Sequence, residues 1–247
     1  MIRIQTQETA FNLNLVKRET ITERLLVIVI FLLLFPGKTL AGSIVDVPLA
    51  GVNYDDPKVQ FKLGLMYDVG RDVPQDYKEA VTWFTKSAEQ GFGPAQYSLG
   101  VMYADGHGVP QNYEEAVKWY TKSAVQGFAP AQYNLGVMYH KGRGVPQNYN
   151  KSFEWYTKSA EQGYAKAQSN LGVLYFNGQG TPENYVEAYA WLSVAAARGD
   201  DVAGQNRDKV KEEMTAEQIA KGQEMTADLF KKYGEDESRE GEEDWAK

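Results

Sequence analysis

The chain has 247 residues, a formal net charge of -7, 43% apolar and 13% aromatic residues. That apolar content is ample for a core, and an acidic chain without a basic cluster is ill-suited to nucleic acid, whose phosphates call for Lys and Arg. Cysteine is absent, which excludes disulfides, thiolate metal sites, a cysteine nucleophile and a lipid-modified cysteine anchor.

At the N-terminus, Lys17, Arg18 and Arg24 precede the uninterrupted apolar run Leu25 to Phe35, and Thr39-Leu40-Ala41 follows a Pro36-Gly37 break. A charged region, a short apolar stretch and small residues at a cleavage point compose a secretory signal. As a helix the run spans about 16 Å against roughly 30 Å of hydrocarbon, too little for a membrane span. The expectation is a signal peptide over 1–41, cleaved near Ala41, and a periplasmic or secreted protein that meets the membrane only in transit. Residues 42–58 read as a linker.

From there the chain repeats itself. Leu63-Gly64, Leu99-Gly100, Leu135-Gly136 and Leu171-Gly172 recur every 36 residues, as do Tyr67, Tyr103, Tyr139 and Tyr175. Pro74, Pro110, Pro146 and Pro182 keep the same register, and so do Trp83, Trp119, Trp155 and Trp191. Four units are expected, over 59–94, 95–130, 131–166 and 167–202.

Each unit reads as two helices. In the first, Ala95, Leu99 and Tyr103 fall four apart on one face, and Gly100 offers a neighbouring helix close approach. Gly106 stops it as a left-handed cap, and Gly108-Val109-Pro110 connects onward. Asp72 stands at the second glycine's place in the first unit, where Asp is among the few residues that tolerate that conformation. The second helix starts at Asp76, Asn112, Asn148 or Asn184, with Glu79, Glu115 and Glu187 three residues on, as in a capping box. Lys151 breaks that pattern, so the third unit should have the weakest cap. Ala116, Trp119, Tyr120, Ser123 and Ala124 form the core-facing stripe.

A lone helical hairpin cannot bury both its apolar stripes, so stacking is required. After the fourth unit, Arg207 and Asp208 replace the Leu-Gly pair, and Thr215-Ala216-Glu217-Gln218 opens a helix with Ile219, Met225, Leu229 and Phe230 available for burial. Residues 203–233 are therefore expected to cap the array. Gly234 to Lys247 holds seven acids against two bases and reads as a solvating, disordered tail.

With these motifs in hand, the segment from about Val59 to Gly199 resembles four Sel1-like repeats, relatives of the tetratricopeptide repeats. It carries Ala-x-x-x-Leu-Gly-x-x-Tyr, Gly-x-Gly-Val-Pro-Gln-Asn-Tyr and Ala-x-x-Trp-Tyr nearly verbatim. Met214 to Ile219 also resembles the capping helix of bacterial members. The resemblance implies an all-α, right-handed superhelix of antiparallel helix pairs. It further implies an adaptor that assembles complexes, with no shared chemistry and no common ligand. The first unit departs from the pattern at Val59, Gly70 to Asp72 and Phe84, and lacks an evident preceding helix.

Chemistry finds little support. The two histidines, His107 and His140, have no second His at ligand spacing, the Gly-x-Gly elements lack a preceding strand, and no acid stands in an apolar, tuned setting. No cofactor, metal or catalytic residue is expected, and the chain is read as a non-enzyme. The alternative is a small-molecule binder or weak β-lactam-type hydrolase, after the cysteine-rich relatives of this repeat class, a link that the absent cysteines weaken. For a protein or peptide partner, the tetratricopeptide analogy points to the first-helix row Lys62, Ser98, Asn134 and Asn170. The row four residues on, with Met102 and Met138, is the candidate apolar floor. Alternatively, the polar row is only solvated surface and the methionines only pack between hairpins.

Overall fold

The computed structural model describes residues 53–233, so the predicted signal peptide, most of the linker and the acidic tail lie outside the described residues. Within them are α1 (Pro57–Val69), α2 (Tyr77–Glu89), α3 (Gly93–Asp105), α4 (Tyr113–Val125), α5 (Ala129–Lys141), α6 (Tyr149–Ala160), α7 (Ala165–Asn177), α8 (Tyr185–Ala197), α9 (Asp201–Glu212) and α10 (Ala216–Tyr233). No strand occurs among these residues. Consecutive helices pack in pairs, and each pair stacks on the next, giving an all-α solenoid of four hairpins. The first helix begins at Pro57, inside the stretch read as linker.

The Leu-Gly glycine sets the spacing inside each hairpin. A Cβ on Gly100 would lie 2.6 Å from the Tyr120 ring, and one on Gly136 would lie 2.6 Å from Tyr156. The corresponding partners are Phe84 for Gly64 and Leu192 for Gly172. Glycine costs the helix about 1 kcal/mol in propensity, and here it lets a bulky side chain of the second helix lie directly on the first helix's backbone.

The second glycine of the loop sets the spacing between hairpins. Gly108 and Gly144 have φ of 72° and 70°, and a Cβ there would come within 2.2 Å of the Tyr77 carbonyl and 2.3 Å of the Tyr113 carbonyl. Each loop therefore seats on the start of the preceding hairpin's second helix. Asp72 has φ 64°, and among the described residues no hairpin precedes it. Only the conformational demand remains there, which Asp meets.

The N-caps of the second helices behave as expected in one respect and differ in another. Asp76, Asn112 and Asn184 each accept two backbone N–H bonds, whereas Asn148 accepts one, from Lys151. The third cap is thus the weakest by count of bonds. The reciprocal half of the box is not the glutamate's. The N–H groups of Asp76, Asn112, Asn148 and Asn184 donate instead to the carbonyls of Tyr67, Tyr103, Tyr139 and Tyr175. The 36-residue tyrosine position thereby ties the two helices of a hairpin end to end.

The residue preceding each first helix distinguishes inside from edge. Phe92 packs edge-on against Phe61, Phe128 against Tyr97, and Tyr164 leans on Tyr133, with centroids 5.3–5.4 Å apart. At the two ends the same position is Asp56 and Asp200, whose side chains accept from Lys58 N and Ala203 N. Where a preceding hairpin offers a ring, an aromatic locks the seam; where none is offered, a polar cap takes over.

The C-terminal end is closed by α10. Thr215 and Gln218 exchange bonds of 2.8 and 3.2 Å, a complete capping box. Gly222 is buried against Tyr189, and Tyr233 stacks on Trp191 at 5.8 Å. Ile219, Met225 and Leu229 are half-buried as expected, but Phe230 is 45% exposed. At about 80° around the helix from Gly222 it stands at the margin of the cap's apolar face rather than at its centre.

Candidate functional site

The rows proposed from sequence lie on the first helices, one per hairpin. Lys62, Ser98, Asn134 and Asn170 are all half-exposed. Two of them are engaged across the seam. The amide of Asn134 on α5 lies near enough to the hydroxyl of Tyr120 on α4 to lower its pKa, and that of Asn170 on α7 does the same for Tyr133 and Tyr156. Burial pushes all three phenols above their ordinary pKa, and the asparagines partly offset the rise. Opposite Ser98 the same place holds Phe84, which has no hydroxyl. The amide row therefore follows the identity of the ring beneath it.

The methionine row is corrected. Met102 is 2% exposed and Met138 6% exposed, each packed in the core cluster it shares with the preceding hairpin. Residues four apart on this helix do not share the open side, because the stacked hairpin covers the face through Leu99 and Met102. The accessible apolar row is three residues beyond the polar one: Leu65, Val101, Val137 and Val173, all half-exposed. Helical spacing alone groups both rows with the polar one, and only burial separates them.

Buried amides stiffen the seams. Gln96 Nε2 donates to Ala88 O at 3.1 Å, and Gln126 Nε2 donates to Gln96 Oε1 at 2.7 Å. The same pair of bonds recurs at Gln132 with Ala124 and Gln162. The series ends where Arg198 stands in the glutamine's place: the Arg198 guanidinium donates to Gly163 O, and Gln168 Oε1 is left without a hydrogen-bond partner. Sequence reasoning missed this ladder, although Gln60, Gln96, Gln132 and Gln168 share the 36-residue register.

On the second helices Lys86, Lys122 and Lys158 lie over the rings of Trp83, Trp119 and Trp155 at 4.2, 3.8 and 4.3 Å. Trp119 of the expected core stripe is only half-buried, its open face covered by the lysine. The histidines also touch neighbours: His107 stacks on Tyr77 of the preceding hairpin at 4.7 Å, and His140 meets Tyr149 edge-on at 5.3 Å. Among the described residues no three His, Asp or Glu side chains converge as metal ligands, and no helix is long and apolar enough to cross a membrane. Between α8 and α10 lies an open cleft floored by Val186, Met225 and Leu229 and rimmed by Lys221 and Asp228.

The Sel1 repeat model matches residues 57–92, 93–128, 129–164 and 165–200, a phase two residues ahead of the one read from the sequence. A Sel1 repeat protein from Oxalobacter formigenes is 36% identical, with a TM-score of 0.57 over 60% of this chain and 61% of that one. The chain thus spans less than two thirds of that relative. The crystal structure of c5321, a protective antigen of uropathogenic Escherichia coli with an SLR fold, is 30% identical over 72% of this chain and 46% of that one, with a TM-score of 0.48. A Sel1 repeat protein from Klebsiella pneumoniae aligns at 20% identity over 64% and 78%, with a TM-score of 0.43. No curated protein matches the sequence. With the four matched repeats covering 57–200 without a gap, the chain belongs to the Sel1 repeat family.

Proposed function

We propose that this protein is an exported, non-catalytic scaffold that holds a protein or peptide partner along the face formed by its first helices. Members of the family generally mediate protein–protein interactions. The observation that carries the reading here is a composite strip repeated in register. Lys62 with Leu65, Ser98 with Val101, Asn134 with Val137, and Asn170 with Val173 each place a half-exposed polar group one helical turn from a half-exposed aliphatic one. An extended peptide presents alternating backbone amides and side chains, and such a strip can serve both.

The test is crosslinked capture from an envelope extract with the full chain as bait, against Asn134→Asp with Asn170→Asp. The carboxylate gives up the amide N–H that lowers the phenol pKa but can accept the phenol O–H instead, so melting should stay near wild type, while two new charges alter the strip. A partner enriched on wild type and lost on the variant supports the reading; equal recovery on both sinks the assignment to this face. Export is tested separately by N-terminal sequencing of the protein recovered outside the cytoplasm, with Gly42 expected first.

A further inference from the structure

The first-helix face that is buried in three hairpins is left open in the first one. Ala95, Leu99 and Met102 of α3 pack into the cluster built by α1 and α2, and Ala131, Leu135 and Met138 pack likewise on the second hairpin. These positions are 0–6% exposed. Their counterparts on α1 are Val59, Leu63 and Met66, all half-exposed, and no described hairpin precedes them. They fall at i, i+4 and i+7, one stripe along the helix. A solenoid end requires a cap, and Asp56 caps only the helix terminus, not this side.

The chain that arrives at that stripe is suited to cover it. Gly42 to Val52 contains Ile44, Val45, Val47, Leu49, Ala50 and Val52, with Asp46 as the sole charge, in a protein 24% charged overall. Pro48 in its middle disfavours a helical hairpin like the others. Its exit is fixed: Gln60 Nε2 donates to Tyr54 O at 2.9 Å and Gln90 Nε2 to Asp55 O at 3.0 Å. The segment therefore leaves from the start of α1, beside Val59. Eleven extended residues reach up to about 36 Å, and a 13-residue helix is about 20 Å long.

We propose that residues 44–52 lie extended along Val59, Leu63 and Met66 and serve as the N-terminal cap of the array. This segment, rather than a second copy of the chain, is the occupant because it is tethered at the stripe's own edge, which gives it an effective concentration on the order of millimolar. The consequence is a closed end that resists end-to-end stacking of arrays.

The absence of native cysteine makes the test direct. In the full chain, Leu63→Cys is paired in turn with Val45→Cys, Val47→Cys, Leu49→Cys or Val52→Cys, and Leu49→Cys with Lys118→Cys supplies the background. Oxidation should close at least one of the four pairs within a single chain, several-fold above background, while Leu63→Cys alone stays monomeric. Four pairs at background level overturn the proposal. Ready dimerisation through Leu63→Cys alone also overturns it and assigns the face to a second copy.

Discussion

Asn170 lowers the pKa of the Tyr156 hydroxyl across the third seam, and Asn134 does the same to Tyr120 one repeat earlier. Where the ring is Phe84, the opposing residue is Ser98. The pairing shows that a position which varies from repeat to repeat on the surface can be set from below.

Removing that amide takes a polar neighbour from a buried phenol, a loss on the order of 1–3 kcal/mol if the hydroxyl is left unpaired. Asn170→Ala, which affects both Tyr133 and Tyr156, should lower stability by about this amount in urea titrations. Ser98→Ala should change it by under about 0.5 kcal/mol. Equal effects at the two positions would break the link between row and ring.

This is also where legibility from sequence ended. The 36-residue register gave the hairpins, their glycine stops, their N-caps and the terminal capping box, because each depends on local backbone chemistry that one residue type satisfies. The Tyr–Asn seam pairs, the Gln96–Gln126 ladder and the burial of Met102 depend on which side of a first helix meets the preceding hairpin. Helical periodicity groups Met102 with Ser98, four residues away, as readily as it groups Val101. Only the stacking direction decides between them. The capping-box expectation at Glu79 and Glu115 failed for a related reason: the N–H it needed was already held by Tyr67 O or Tyr103 O, on another helix.

The loop glycines allow a comparison between inside and edge. Gly144→Ala places a Cβ 2.3 Å from the Tyr113 carbonyl oxygen and also forces an L-residue to φ 70°. The left-handed conformation alone costs about 1–2 kcal/mol, and a backbone clash adds to it. The expected loss exceeds roughly 2 kcal/mol by chemical denaturation, among the larger single-site effects. Asp72→Gly, at the same repeat position but with no described hairpin before it, should stay within about 0.5 kcal/mol of wild type.

Glu187 predicts a pH signature. Burial raises its carboxyl pKa above the ordinary 4.5, an effect partly offset by the Trp191 indole N–H, which donates at 3.2 Å. A folded-state pKa above the unfolded one means the folded chain holds the proton more tightly, so this group favours folding at low pH and costs stability as pH rises through its folded pKa. Glu187→Gln keeps an acceptor for Trp191 and removes the charge. Its melting temperature should exceed wild type at pH 7, with the gap closing as pH falls towards 4.5. Tyr175, pushed up to about 12 by burial and then by Glu187 and Glu161, should titrate lower in the same variant. A gap that is constant with pH would show that the carboxyl is not the cause.

The cap helix offers a prediction about dynamics. Gly222 lies where a Cβ would meet the Tyr189 ring at 2.8 Å, and Tyr233 stacks on Trp191, so α10 holds α8 through two close contacts. Each hairpin touches only its neighbours, so a defect at one end should decay along the stack. Gly222→Val pushes α10 off Tyr189. Amide exchange in α8 to α10 should then speed markedly, exchange in α7 less, and exchange in α1 to α4 not at all. Uniform acceleration over all ten helices would mean that the solenoid opens as one cooperative unit, and that the closed C-terminal end protects every hairpin rather than its neighbours alone.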